Sequence, residues 1–424
     1  MENSSNKLRI AIVGGGLAGA TLIRALQKHP HLSVSIFESA PTFSERGAAV
    51  GIATNALSAL QELEFVDVME AAGAVQMNST RAIIGSGPHA GTVLFDLASE
   101  MQGQVVHRAE LLKALLKPVS GKAMQTSKKV TRITEDADGG GVTLEFTDGT
   151  QVTADAVIGA DGIHGFVRGY VLGNEHPAVK AQFAGFWDCR TLVPIQTARE
   201  ALGEEYFEEQ RQYAWSGDGG FIMHDVLDRG ETVQCVASVM TDEAWDENEW
   251  RRDLDRASLE KALASWTNSP IKQPMIELLL KNPDLKAFAQ YHHKENTPTY
   301  TKGSVCILGD AAHAMTPWQG SGAGQAIEDV LILSTLLSHT TTPAQIPIAF
   351  TVYDEIRRPR SQKVVASSAI TGRIFCGGED SVGLDPDALR GALGTRWNFI
   401  YGIDMSKYKE EAVELFEKLD RGSA

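Results

Sequence analysis

The sequence predicts an α/β protein: a Rossmann-like dinucleotide-binding domain interleaved with a mixed-sheet second domain and closed by C-terminal helices. Three observations predict it. An apolar strand runs straight into glycines and a helix at the start of the chain. Two later apolar strands end at Gly159-Ala160-Asp161-Gly162 and at Gly309-Asp310, and a long stretch between them alternates like a sheet of its own.

Leu8–Val13 (LRIAIV) is short, apolar and β-branched, as suits a strand buried on both faces. The next segment places Leu17, Ala20, Leu22, Ile23 and Leu26 at helical spacing, and Leu32–Glu38 reads as a second strand. Val130–Ile133, Val142–Phe146 and Val152–Ala154 are separated by DADGGG and TDGT turns and predict an antiparallel meander. Ala156–Ala160 is a further buried strand. Gly220–Val226 and Thr232–Val239 are strand-like pieces of the second domain, and Asn248–Ser265 reads as a helix. Val305–Leu308 returns to the first sheet, and Ser321–Leu337 is a helix apolar on most faces. Lys407–Asp420 gathers Tyr408, Ala412, Leu415, Phe416 and Leu419 on one helical face, for docking or for contact with a second copy. These pieces assign residues 1–75, 100–177 and 290–370 to the dinucleotide domain, 76–99 and 178–289 to the second domain, and 371–424 to a C-terminal helical segment.

The 424 residues allow two or three such units, and 43% hydrophobic with 22% charged residues is an ordinary globular balance. Forty glycines, roughly 9% against a typical ~7%, point to several tight backbone sites. With 39 Lys and Arg against 54 Asp and Glu the net charge is −15, which speaks against nucleic acid and anionic membranes as partners. Cys189, Cys235, Cys306 and Cys376 are scattered without ligand spacing, so they read as buried thiols of a reducing compartment, and no metal is expected. The N-terminal apolar run is too short for a secretory signal and no run reaches membrane-spanning length; a cytoplasmic monomer or homodimer is expected.

Gly14-Gly15-Gly16-Leu17-Ala18-Gly19 fits G-x-G-x-x-G between strand and helix. The first glycine makes the turn, the second lets backbone approach a pyrophosphate, the third lets helix pack on strand, and the helix start offers free N–H groups. Glu38, at the end of the second strand, is placed to accept an adenosine ribose's hydroxyls, and its charge disfavours a 2′-phosphate; the nucleotide is FAD or NAD. Gly85-Ser-Gly87-Pro-His-Ala-Gly91 has the wrong spacing and reads as a turn. Gly159-Ala-Asp161-Gly162-Ile-His-Gly165-Phe-Val-Arg168 alone would be an Asx turn capping a helix, with Arg168 exposed. The third motif, Gly309-Asp310-Ala-Ala-His313-Ala-Met-Thr316-Pro317-Trp318-Gln319-Gly320-Ser-Gly322-Ala323-Gly324, puts an acid at a strand end, then alternate glycines able to press backbone donors against a flat ring.

These motifs in this order resemble the class A flavoprotein monooxygenases of the para-hydroxybenzoate hydroxylase fold, most closely the salicylate hydroxylase-like branch with its fungal-looking members. The resemblance spans roughly residues 8–370. It implies an FAD-binding domain in which Gly14, Gly16, Leu17, Ala18, Gly19 and Glu38 hold the ADP half, Arg46 the adenosine ribose region, and Arg108 the flavin and phosphate region. It also implies that Asp161 serves FAD and NAD(P)H handling, that Asp310 holds the ribityl and pyrophosphate, and that Pro317, Gly320, Gly322, Ala323 and Gly324 line the flavin. The implied reaction consumes NADH or NADPH and molecular oxygen and hydroxylates a small aromatic substrate through a flavin C4a-hydroperoxide.

The branch reads T-P-H-Q-G where this chain reads Thr316-Pro317-Trp318-Gln319-Gly320, so an indole that cannot take a proton replaces an imidazole. His224, in FIMHDV, is the candidate for proton handling; Trp318, Arg190 and Tyr213 are candidate substrate contacts. His313 reads as a structural residue behind the flavin, His292-His293 as no metal site, and Arg357-Arg358-Pro359-Arg360 as a solvated helix end. The expected activity is hydroxylation of a phenol or salicylate-like aromatic acid. The alternatives are a fungal secondary-metabolite hydroxylase or epoxidase acting on a larger ring, and a non-catalytic flavin-binding regulator.

Overall fold

In the computed structural model the described residues are 7–44, 49–98, 103–135, 141–227, 230–245, 249–294 and 296–423. Two large sheets organise them. The first has the spatial order Thr301–Lys302, Val305–Ile307, Ala156–Gly159, Leu8–Val13, Leu32–Phe37, Met124–Gln125, and every pairing is parallel except that of its outer hairpin Thr301–Lys302 with Val305–Ile307. Its central strands are buried on both faces: Ile10, Ile12, Val157, Ile158, Val305 and Ile307 are at most 2% exposed. That is why each reads as an unbroken apolar run. The helices Leu17–Leu26 and Gly322–His339 pack on each other against this sheet, and the meander Val130–Glu135, Val142–Phe146, Gln151–Ala154 folds beside it.

The second sheet has eight strands in the order Arg251–Asp253, Lys286–His292, Gln182–Pro194, Thr232–Met240, Gly220–Leu227, Arg211–Gly217, Ser79–Ile84, Val93–Leu97. Its central strands alternate, with register shifts between Phe183 and Trp187 and between Ala82 and Ile83. Cys189, Val193, Tyr213, Trp215, Ile222, Val233, Cys235 and Ala237 enter an apolar core shared with Leu259, Leu263, Met275, Ile276 and Leu279. On the other face, Phe186 and Phe221 meet Trp318.

Several expectations change. Asn248–Ser265 is not one helix: Arg251–Asp253 is an edge strand, and the helix runs Arg256–Ala262 from an N-cap at Asp255, whose side chain accepts from the Ser258 N–H. The sequence's division at residue 370 falls inside a continuous helix, Ile346–Phe375, and Arg357, Arg358, Pro359 and Arg360 lie mid-helix rather than at its end. The tail does dock: Met405–Ser423 lies against Thr54–Glu62, Gly322–His339 and Ile346–Phe375, burying Ala412 and Phe416. The helix Pro386–Gly394 covers the edge strand Val93–Leu97, where Arg390 donates to the Leu94 and Val93 carbonyls at 3.0 and 2.9 Å. All four cysteines are buried and free.

Candidate active site

The glycine turn is built of backbone. Gly14 sits at φ +107°, and a Cβ there would lie 2.3 Å from the Ala160 carbonyl oxygen; a Cβ at Gly19 would lie 2.1 Å from the Gly14 oxygen. Only glycine allows the strand Leu8–Val13, the turn and the Asp161 loop to touch. Glu38 closes the turn: one carboxylate oxygen accepts from the Gly15 N–H at 2.7 Å, the other from the Ala40 N–H at 2.7 Å. Helix Leu17–Leu26 begins at Gly16 with no side-chain cap and no acid in its first turn, so its N–H groups are offered outward.

The other two motifs are riveted to this turn. Asp161 Oδ2 accepts from the Val167 N–H at 3.0 Å, while its Oδ1 is buried without a partner among the described residues; burial raises its pKa to about 6 against the pull of the backbone donors. Arg168 is not exposed. It is 1% accessible and donates to the carbonyls of Ala178, Ala311 and Ala312 and to Thr297, fastening the first motif to the helix that begins at Asp310. Burial among neutral acceptors lowers its pKa to about 10. Gly309, at φ +59°, seats the strand end between Ala18 and Ala326, at 3.1 and 3.5 Å from a built Cβ. Asp310 itself is exposed at the mouth of the cleft.

Beyond it, Pro317–Gln319 makes a single 3-10 turn and Gly320 follows at φ +61° in open space. Gly322 meets only Met315 at 4.0 Å. Helix Gly322–His339 again starts without a side-chain cap or acid in its first turn, and Gly324 lets it approach Asn55 and Ala56. Arg108 opens the helix Arg108–Leu116 and is half-buried; Arg46 lies outside the described residues.

A buried charge cluster backs this helix. Arg357 lies 2.7 Å from Asp329 and 2.6 Å from Glu328, Arg360 lies 2.7 Å from Glu328, and His313 Nε2 lies 2.6 Å from Asp329; Arg357, Asp329, Glu328 and His313 are wholly buried. Burial opposes ionisation of both carboxyls, yet the neighbouring cations hold both below the ordinary carboxylate range. Asp329 also accepts from the Gly309 N–H at 2.9 Å and Glu328 from Asn55 at 2.7 Å. Arg357 was expected in solvent; it is the centre of this cluster. The sequence signal was the acid pair Glu328-Asp329, which cannot be buried unpaired.

Opposite the flavin-loop segment stands one face of the eight-stranded sheet. Strand register places Phe186, Asp188 and Arg190 beside Met240, Ser238 and Val236, and these beside Phe221 and Met223. Trp318 meets this face: its ring lies edge-on to Phe186 (5.1 Å) and Phe221 (5.6 Å) and parallel to Phe375 (6.3 Å). Arg190 is on the same face and exposed. Asp188 accepts from Gln290 at 3.3 Å, and burial raises its pKa despite the pull of Arg190.

His224 and Tyr213 are not there. They are register partners on the opposite face, stacked at 4.8 Å within a nest of Tyr206, Phe207 and Trp215. Both His224 nitrogens are buried without a partner among the described residues, and desolvation lowers its pKa to about 3. It is a neutral core residue, which withdraws it as a base; Tyr213 is withdrawn as a substrate contact for the same reason. His292 and His293 are likewise buried and lowered by desolvation to about 4 and about 3, and no group able to hold a metal occurs among the described residues. Sequence reasoning missed Asp188, whose only signal was its even spacing from Phe186 and Arg190. It also missed Gly372, a glycine inside a helix that lies against Trp318.

The cleft fits an FAD. Two uncapped helix starts, a turn in which Gly14 and Gly19 tolerate no Cβ, and open space at Gly320 supply backbone donors and a flat berth. They define a dinucleotide-binding flavoprotein fold. The FAD binding domain family model matches residues 7–368, and the chain belongs to that family. It is a class A flavoprotein monooxygenase with FAD as its cofactor. The chain is 36% identical to the 6-methylsalicylate 1-monooxygenase atA of Aspergillus terreus, over 97% of this chain and 93% of that one. It is 31% identical to a salicylate hydroxylase of Pseudomonas putida, over 97% and 95%. A solved salicylate hydroxylase substrate complex superposes with a TM-score of 0.84 at 28% identity, over 96% of this chain and 98% of that one. Among the described residues no helix is long and apolar enough to cross a membrane.

Proposed function

We propose that this monooxygenase hydroxylates a small salicylate-like aromatic acid, consuming NAD(P)H and molecular oxygen. The observation that carries the reading is the sheet face opposite the flavin loop: half-buried Phe221, Met223, Val236 and Met240 beside the exposed guanidinium of Arg190. A flat apolar ring and a carboxylate are what such a face accepts. The substrates in the names of the Aspergillus and Pseudomonas relatives are acids of this kind.

FAD, when bound, supplies the redox chemistry, taking electrons from the nicotinamide and activating oxygen. Gly14, Gly16, Leu17, Ala18, Gly19 and Glu38 hold its ADP half, with Arg108 and Asp310 along the phosphates and ribityl chain and Asp161 behind the turn. Pro317, Gly320, Gly322, Ala323 and Gly324 flank the ring. Arg190 holds the substrate carboxylate by a charge-assisted pair. Asp188 takes the phenolic proton and so makes the ring more nucleophilic, a task Trp318 cannot perform. Trp318 and the sheet exclude water from the ring.

The test is NADH and NADPH consumption stimulated by a panel of hydroxybenzoic acids and neutral phenols, with product mass measured. Acids should be turned over, and Arg190→Met should raise their KM at least about tenfold while leaving FAD content intact. Neutral phenols outperforming the acids in the wild type would overturn the reading.

A further inference from the structure

Resting on the aromatic-acid reading above, we infer that Gly372 determines substrate specificity, by seating the Trp318 indole back against helix Ile346–Phe375 so that it walls the ring pocket without filling it. Gly372 lies in the interior of a 30-residue helix, where glycine costs about 1 kcal/mol relative to alanine and so needs a reason. The reason is the indole. A Cβ at Gly372 would lie 2.4 Å from Trp318 Nε1 and 2.6 Å from both Cδ1 and Cε2, so the five-membered ring rests on the bare Cα.

The remaining contacts fix where the indole can go. Phe375 lies parallel to it from the same helix, while Phe186 and Phe221 meet it edge-on from the sheet. Trp318 is 9% exposed and its Nε1 is buried without an acceptor among the described residues, so the residue presents an apolar wall and no donor. Gly320 faces open space, and Phe221 and Met240, which also reach Phe375 and the Gly378 turn after the helix, are half-buried on the sheet side. A methyl at Gly372 therefore displaces the indole towards the sheet and the pocket, where an apolar substituent on the substrate ring would otherwise lie. Trp318 seated on Gly372 presents an apolar face there, and the pocket favours a hydroxybenzoic acid carrying such a substituent.

The experiment measures dissociation constants of salicylate and 6-methylsalicylate from perturbation of the flavin absorbance of FAD-loaded enzyme, without reductant. The wild type should bind the methylated acid about fourfold more tightly, the worth of one buried methyl. Gly372→Ala should weaken 6-methylsalicylate at least about tenfold and salicylate less, as overpacking does. In Trp318→His/Gly372→Ala, both constants should return to within about threefold of those of Trp318→His, and Trp318→His alone should lose the preference for the methylated acid. Gly372→Ala that retains FAD and binds both acids as the wild type does would overturn the assignment. So would a double variant that keeps the defect, or a Trp318→His variant that keeps the preference. If Gly372→Ala does not fold, the double and the Trp318→His variants decide. A wild type whose flavin responds to neither acid would overturn the aromatic-acid reading, and this assignment with it.

Discussion

The glycine-rich cleft and the eight-stranded sheet meet at Trp318, yet they are made of different things. The cleft is backbone: Gly14, Gly19 and Gly309 serve by what they lack, and the helix starts at Gly16 and Ser321 offer uncapped N–H groups. The sheet face is side chains, and neighbours in sequence have opposite fates. Asp188 lies on the face that meets Trp318 while Cys189 is sealed in the core, and Met223 lies on that face while His224 is sealed. A site made of backbone is tied to a motif; a site made of alternating side chains is tied to a register, and one residue's slip would exchange all its members.

The comparison can be broken hardest from behind the cleft. Arg357→Met leaves Glu328 and Asp329 buried without their shared cation, and should destabilise the fold by about 3–5 kcal/mol in denaturant titrations. An unchanged midpoint would mean that the glycine cleft stands without its charged support. Next in size, Asp188→Asn should lower kcat by about a hundredfold at neutral pH with FAD content unchanged. Asp188 acts as a base only when ionised, and burial raises its pKa, so wild-type kcat should fall as pH drops through that raised value. The Asn variant should lack this limb; a profile identical to the wild type's would remove Asp188 from the chemistry.

Gly14→Ala puts a Cβ against the Ala160 carbonyl at a positive φ, and FAD affinity should fall at least about tenfold by equilibrium dialysis. Full retention would separate the turn from the cofactor. Smallest is His224→Phe, whose turnover should match the wild type. Its effect is on acid stability. His224 stays neutral in the folded protein down to about pH 3 but takes a proton near pH 6.5 when unfolded, so its contribution is complete above pH 6.5 and is lost as pH falls towards 3. The Phe variant should therefore lose less stability across that window, by chemical denaturation at pH 7 and pH 5. Equal losses would show the ring is not held neutral.

The first domain was legible because its strands are apolar on both faces and its turns need glycine whatever surrounds them. Leu8–Val13, Ala156–Gly159 and Val305–Ile307 emerge within a residue of their expected ends. Arg357 was misread as solvated because its partners Glu328 and Asp329 are distant in sequence, and the burial of Arg168 by Ala311 and Ala312 was invisible for the same reason. The strand Arg251–Asp253 was misread because an edge strand of three residues has too few positions to show a period.

The sequence by itself determined the dinucleotide turn, the order of the three flavin motifs, and the departure at Trp318, because each rests on a local demand that particular residues meet wherever the chain runs. Only the tertiary structure decided that His224 and Tyr213 lie on the core face of the sheet while Asp188 and Arg190 lie on the face that meets Trp318, and that Trp318 leans on Gly372. The alternation along a strand names two faces without saying which is inward. That choice is made by what packs against each: helices Ile195–Leu202 and Lys272–Leu279 on one side, and the returning flavin loop on the other.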